Sequence, residues 1–175
     1  MIKVVDNFLP SLVQDDIENR LFKNDIPWFF EEETVMGELV PSKDLAISTP
    51  GFKHFLFDKA EIRSSLYEPF KKIFNLDFKN LLRAKINLLL QYPNYKLNNY
   101  NHPHVDFDEE HVTKIYYVNN CDGDTIFFND DKKTIIKKVS PKKGRLVIFK
   151  NKIYHSGSNP IKNKKRIIIN INEKL

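Results

Sequence analysis

"TKIYYVNNCDGDTIFFN", residues 113–129, sets two runs of β-branched and aromatic residues on either side of Asp122-Gly123. Such runs fit a pleated, half-buried surface, and Asp-Gly between them is a hairpin signal. The stretch therefore reads as paired antiparallel strands, and its neighbours extend the pattern. Downstream, "TIIKKV" (134–139) leads through the turn residues "SPKKG" (140–144) into "RLVIFK" (145–150), and "KRIIININ" (165–172) makes a last strand. Upstream, "LRAKINLLLQY" (82–92) alternates, with Ala84, Ile86, Leu88, Leu90 and Tyr92 on one face. Many short strands with regularly spaced turns indicate a sandwich or a barrel.

Residues 1–80 read differently. "PSLVQDDIENRLFK" (10–23) predicts a helix, with Ser11 as N-cap, Gln14 completing a capping box, and Leu12, Val13, Ile17, Leu21 and Phe22 at helical spacing. "DKAEIRSSLYEPFKKIF" (58–74) predicts a second, opened by Asp58 and Glu61, with an apolar stripe of Ile62, Leu66, Phe70, Ile73 and Phe74. Pro69 should kink or break it. Between them, "EEETVMGELVPSKDLAISTPGFKHF" (31–55) has weak periodicity and two prolines. Long loops of this kind are often functional, so Thr34 to Phe52 is expected to cover and help choose a substrate. The architecture is α+β and mainly β: one domain over 1–175, with helical support and a loop in 1–80 and a β core in 81–175.

Composition narrows the chemistry. A chain of 175 residues that is 41% hydrophobic and 13% aromatic is globular rather than disordered. Asp6 and Asn7 interrupt the start where a secretion signal needs an apolar run, and no stretch approaches the roughly 20 apolar residues of a membrane span. The single cysteine, Cys121, allows no internal disulfide and suits a reducing cytoplasm. It also leaves His, Asp and Glu as the only metal ligands. Net charge is +5 but uneven: residues 131–152 hold nine Lys or Arg and one acid, while the first 33 are mostly acidic. Such a stripe either touches nucleic acid or decorates strand surfaces and guards edges.

"HPHVDFDEEH" (102–111) gathers three of the five histidines and four acids. It is either an exposed polar loop or part of a metal site. His104 and Asp106 are two apart, so on a strand both point to one side. A third candidate, His155, follows the strand "RLVIF" in "FKNKIYHSGSNP" (149–160). Two histidines and one carboxylate on one triangular face make the ligand set of non-haem Fe(II) oxygenases. In the last strand, Ile167, Ile169 and Ile171 share one face, while Arg166, Ile168, Asn170 and Asn172 share the other. That polar face is either solvated or lines a polar interior, where the planar fork of Arg166 suits a carboxylate. His102 has the parity to compete with His104. His54 and His111 read as solvated or structural, Asp108 to Glu110 as an exposed turn, and Cys121 as incidental.

At these residues the sequence resembles the Fe(II)- and 2-oxoglutarate-dependent dioxygenase superfamily, most closely its prolyl 4-hydroxylase-like branch with small microbial and phage-encoded members. The family order is His-x-Asp, a distant His, then Arg or Lys, matched here by His104-Val105-Asp106, His155 and Arg166. "DGDTIFF" is similar to the family's GGxTxF segment, and "PKKGRLVIFKN…HSGSNP" to its PxxGxLvxF…HxxxP segment. Asp124 stands where relatives often have glycine. Asn172 stands where oxidative nucleic-acid demethylases carry a second arginine, which argues against that branch.

The resemblance covers about residues 80–172 and implies a double-stranded β-helix, the jelly-roll or cupin-like core. It implies Fe(II) on His104, Asp106 and His155, with 2-oxoglutarate and O2 as cosubstrates and ascorbate as an accessory reductant. Arg166 and Tyr117 ("KIYYVN") would hold the far carboxylate of 2-oxoglutarate, and Tyr92 ("QYP") would lie near metal and cosubstrate. By strand parity, Asn170 and Asn172 are candidates for hydrogen bonds near the iron or its ligands. A C–H bond would be hydroxylated, with release of succinate and CO2. The substrate would be a prolyl residue of a peptide or protein, a free amino acid or another small molecule. Neither nucleic acid nor membrane is an expected partner. A non-catalytic binding domain of the same fold is the alternative, as is a nucleic-acid-modifying oxygenase using the lysine stripe. Loss of His104 or Asp106 is expected to abolish turnover and spare the fold.

Overall fold

The computed structural model describes residues 1–23, 25–35, 45–150 and 153–175. Of the covering segment proposed above, Thr34 to Phe52, residues 36–44 lie outside the described residues. The strands are β1 (Ile2–Val5), β2 (Phe29–Glu31), β3 (Gly51–Asp58), β4 (Glu61–Ile62), β5 (Leu81–Leu90), β6 (His111–Tyr117), β7 (Thr125–Phe128), β8 (Ile135–Val139), β9 (Leu146–Lys150), β10 (His155–Gly157) and β11 (Lys165–Lys174). The helices are α1 (Ser11–Phe22) and α2 (Tyr67–Phe74). A major sheet runs β1-β9-β6-β11-β5-β3-β2, with β4 paired to β3, and a minor sheet runs β10-β7-β8. No described helix is long and apolar enough to cross a membrane.

The strands of the opening stretch exist, but they do not form a hairpin. β6 pairs with β11 and β9 in the major sheet, whereas β7 pairs with β8 and β10 in the minor one. The Asp122 carboxylate instead accepts backbone N–H bonds from Ile161, Lys162 and Asn163, tying the crossing to the loop before β11. A local turn signal has yielded to long-range pairing. "SPKKG" likewise carries the chain from β8 back across to β9, turning at Gly144 with φ +78°. Successive strands that alternate between two sheets make a double-stranded β-helix, the fold class implied above.

Residues 1–80 supply strands as well as helices. β3, in the segment read as loop, lies between β2 and β5; a register shift at Phe55/Phe57 breaks the alternation that would have revealed it. α1 forms as expected, yet Ser11 is its first helical residue and Pro10 its cap, with no side-chain capping bond. Gln14 instead donates to the Leu9 carbonyl. α2 is shorter than expected, because Lys59 and Ala60 adopt positive φ and turn β3 into β4. Pro69 sits in its first turn, where a missing N–H costs nothing, so there is no kink. Ile17, Leu21, Tyr67, Phe70 and Phe74 of the helices cover Ala84, Ile86, Tyr116, Ile167, Ile169 and Ile171 on one sheet face. Each such side chain contributes about 1.5–3 kcal/mol of burial. The opposite face of β11 is therefore enclosed between the sheets, and Arg166, Asn170 and Asn172 are all buried. That answers the question its polar pattern raised.

The uneven charge resolves within the chain. Lys143 pairs with Asp15 and Glu18 on α1, Arg145 makes bonds of 2.6 and 3.1 Å to Asp6, and Lys142 reaches the same carboxylate at 3.4 Å. Part of the lysine stripe is thus occupied by the acidic N-terminal segment. The Arg145 hydrogen bond pulls the Asp6 carboxyl down to about 2 from an ordinary 3.8. A depressed carboxylate stabilises the fold above its unfolded pKa and loses that contribution as pH falls through the folded value. Asp6→Asn should therefore lower the thermal midpoint modestly at pH 7 and by much less at pH 2. An equal loss at both would deny the pair its role.

Candidate metal centre

His104 and His155 face each other across an antiparallel bridge, with His104 N–H donating to the His155 carbonyl at 3.0 Å and His155 N–H returning the bond at 2.9 Å. Directly opposed residues send their side chains to the same side, which places the ring centroids 4.6 Å apart. Asp106 joins them from two residues further on. One ligand atom from each of the three lies within 4.8 Å of the others, and His155 Nε2 is 3.7 Å from Asp106 Oδ2. No other such cluster occurs among the described residues. His104 Nδ1 is 3.2 Å from the His102 carbonyl, and His155 Nδ1 is 3.1 Å from that of Ile153. A carbonyl only accepts, so Nδ1 carries the proton in both rings and the Nε2 lone pairs are left for a metal.

The electrostatics prepare these groups. Burial, followed by the charge of His155, lowers the His104 imidazole to about 3, and burial lowers His155 too. Both are neutral ligands at physiological pH. Burial alone would raise the Asp106 carboxyl, but His155, His104, Arg83 and Lys85 outweigh it and hold the group well below the carboxylate range. With the imidazoles neutral, the Arg83 guanidinium, 2.7 Å from Oδ1, is the ion-pair partner that keeps Asp106 ionised.

Asp106 is also tightly held. Its Oδ1 accepts 2.7 Å from Arg83, whose guanidinium lies over Phe107. Its Oδ2 accepts 2.9 Å from Asn172 Nδ2, with longer contacts from Thr113 and Asn170. Asn172 thus sits beside a metal ligand, as strand parity indicated, while the Asn170 Oδ1 is buried without a partner. Arg83 and Thr113 escaped the sequence reading. Both register opposite Asn172, one on each neighbouring strand, so knowing the pairing would have found them.

A cavity of about 120 Å³ runs from His104, His155 and Asn170 to Thr125 and Arg166. Arg166 forms its far wall, donating to the Gly123 carbonyl at 2.7 Å and to Thr125 Oγ1 at 2.8 Å. No carboxylate of the described residues pairs with it. Glycine is required nearby: a Cβ on Gly123 would lie 2.4 Å from the Ser158 carbonyl and 3.0 Å from the Arg166 side chain. Tyr117 is fully buried and donates 2.6 Å to Thr125 Oγ1. Thr125 Oγ1, accepting from both Tyr117 and Arg166, keeps its own proton to donate into the cavity. Thr125, rather than Tyr117, lines the wall; the "DGDTIFF" segment carried it, unremarked.

The remaining candidates lie elsewhere. Tyr92 is 39% exposed on a separate surface groove with Pro93 and Pro160 and does not line the cavity, because it lies two residues beyond the end of β5, where the chain has left the sheet. His102 is buried and contributes its carbonyl to His104. His54 is buried and structural, bonded to the Pro27 carbonyl and to Ser64. His111 is buried as well, bonded to the Glu109 carbonyl rather than solvated. Asp108 to Glu110 are exposed, and Cys121 is a buried free thiol.

The donor set fits Fe(II): two neutral imidazoles, one ionised carboxylate, and an open cavity beside them. The far end fits a dicarboxylate, since a buried guanidinium without an acid partner calls for an anion.

Comparisons with known proteins agree. Residues 90–173 match the family model of the 2OG-Fe(II) oxygenase superfamily. An oxidoreductase of the 2OG-Fe(II) oxygenase family from Burkholderia pseudomallei superposes with a TM-score of 0.65 at 11% identity, covering 98% of this chain and 84% of that one. A Pseudomonas putida prolyl-4-hydroxylase gives 0.56 at 16% identity, covering 99% and 91%. HygX from Streptomyces hygroscopicus, solved with nickel and 2-oxoglutarate bound, gives 0.58 at 10% identity, covering 99% and 82%. At these identities the likeness is one of fold. No curated protein matches.

Proposed function

We propose, for a chain that belongs through residues 90–173 to the 2OG-Fe(II) oxygenase superfamily, that it hydroxylates a C–H bond with Fe(II), 2-oxoglutarate and O2, releasing succinate and CO2. The observation that carries this is the shared cavity: a His104–Asp106–His155 cluster at one end and an unpaired Arg166 at the other. When bound, the iron and cosubstrate supply the oxidising power, and the chain supplies placement. His104, Asp106 and His155 would hold the metal, and Arg166 with Thr125 would orient the far carboxylate. Arg83 and Asn172 keep Asp106 ionised and aimed. The fold likeness to a prolyl-4-hydroxylase supports a prolyl residue in a peptide or protein as substrate; the likeness to HygX keeps a small molecule in view. The complete ligand set weighs against a non-catalytic domain. The commitment of Lys142, Lys143 and Arg145 to acids of the same chain weighs against a nucleic-acid partner.

Anaerobic, metal-free protein mixed with Fe(II) and 2-oxoglutarate should develop the weak visible charge-transfer band of the chelate. His155→Ala should lose it. A colourless wild-type mixture would sink the oxygenase reading.

A further inference from the structure

Three more charged side chains line the metal cavity: Glu31, Lys53 and Lys85. Lys53 and Glu31 neutralise each other in an ion pair. Arg83, nearby, is matched by Asp106. Lys85 has neither an ion pair nor a hydrogen bond among the described residues. Two cations therefore face this cavity outside any ion pair of the described residues, Arg166 and Lys85, and they stand at different depths. On β11 and β5, Arg166 registers opposite Leu89, while Lys85 registers opposite Asn170, whose side chain is beside Asp106. The four steps along the strand from Lys85 to Leu89 amount to roughly 13 Å. One cation marks the far wall, and the other marks the metal end.

The oxygenase reading, on which this inference rests, accounts for one of them. Both charges of 2-oxoglutarate are met without Lys85, one at Arg166 and the other at the metal. An iron carrying two positive charges and a cosubstrate carrying two negative ones cancel, so the loaded site keeps the excess of both basic side chains. Burial, followed by the charge of Arg83, pulls the Lys85 ammonium down to about 8, so it is still cationic at neutral pH. A partly buried cation held outside an ion pair costs stability, and an incoming anion removes that cost. The unpartnered Asn170 Oδ1 lies on the residue opposite, an acceptor for any donor the same molecule carries.

We propose that Lys85 anchors a carboxylate group of the molecule this site oxidises. The substrate is then an acid, or a residue next to one, and the lysine fixes which C–H bond faces the metal. Nothing in the shared ligand pattern requires a lysine here; the choice belongs to this chain's β5.

The test uses full-length protein loaded with Zn(II) and saturating 2-oxoglutarate, so that Arg166 is occupied. It is titrated calorimetrically with matched pairs: N-acetyl-L-proline and its amide, benzoate and benzamide, hexanoate and hexanamide. In at least one pair the carboxylate should bind roughly tenfold or more tightly than the amide, the scale of a charged hydrogen bond. Lys85→Met should erase that preference and Lys85→Arg should keep it, while both bind 2-oxoglutarate within about twofold of wild type. A carboxylate preference absent from every pair, or unchanged in Lys85→Met, overturns the proposal. Loss of 2-oxoglutarate binding in Lys85→Met overturns it too, by assigning the lysine to the cosubstrate. Wild-type protein that binds neither metal nor 2-oxoglutarate would instead bring down the oxygenase reading beneath it.

Discussion

Asp106→Ala will abolish iron binding and destabilise the fold by about 3–5 kcal/mol, whereas His104→Ala will abolish turnover with little loss of stability. The difference follows from what each side chain leaves behind. Asp106 is 2% exposed and ion-paired to Arg83, itself 16% exposed, so truncation strands a buried guanidinium. It also removes one of the two acceptors of the buried Asn172 amide, which keeps only Thr113 Oγ1. His104 gives up a bond to the His102 carbonyl and its packing against the His155 ring, but strands no charge. The expectation drawn from sequence, that either loss spares the fold, holds for the histidine alone. Asp106→Asn separates the two effects: its amide oxygen still accepts from Arg83 and recovers part of the stability, but it supplies no anionic ligand. Urea midpoints and iron stoichiometry read both quantities. Equal midpoints for Asp106→Ala and His104→Ala would show that the Arg83 pair contributes nothing net. Stoichiometric iron in Asp106→Ala would remove it from the ligand set.

What could be read from the sequence follows a physical divide. Ligand residue types, their parity on a strand and their order along the chain are local facts, so His104, Asp106, His155, Arg166 and Asn172 were all within reach. Pairing is not local. Asp122-Gly123 looks like a tight hairpin because turn chemistry acts over a few residues, yet β6 pairs with β9 and β11 and β7 with β8 and β10, in different sheets. The same blindness hid Arg83, Thr113 and Lys85, which matter only because β5 and β6 flank β11. Tyr92 was placed near the metal by the resemblance of "QYP" alone, and here the chain leaves the sheet at Leu90, before it. The α1 cap failed because Ser11 and Gln14 have the right spacing, but Pro10 already starts the helix and Gln14 finds the Leu9 carbonyl instead.

Arg166→Met should weaken 2-oxoglutarate roughly 30-fold or more, the cost of removing one partner from a buried charged contact. The effect will fall on the cosubstrate and not on the metal, because Arg166 shares no hydrogen bond with His104, Asp106 or His155. Linkage gives a second readout. A ligand at one hundred times its Kd stabilises the protein by about 2.7 kcal/mol, so 2-oxoglutarate should raise the midpoint of metal-loaded wild type and barely move that of the variant at the same concentration. The free protein should tolerate the change well. The lost bonds to Gly123 and Thr125 are offset by removing a buried cation that has no acid, and Thr125 keeps the Tyr117 hydroxyl. Thr125→Val tests the neighbouring contact: it removes the acceptor shared by Tyr117 and Arg166 and the one hydroxyl proton free to meet the ligand. If Arg166→Met bound 2-oxoglutarate within threefold of wild type, the far wall would not be the carboxylate site, and the unpaired guanidinium would need another anion.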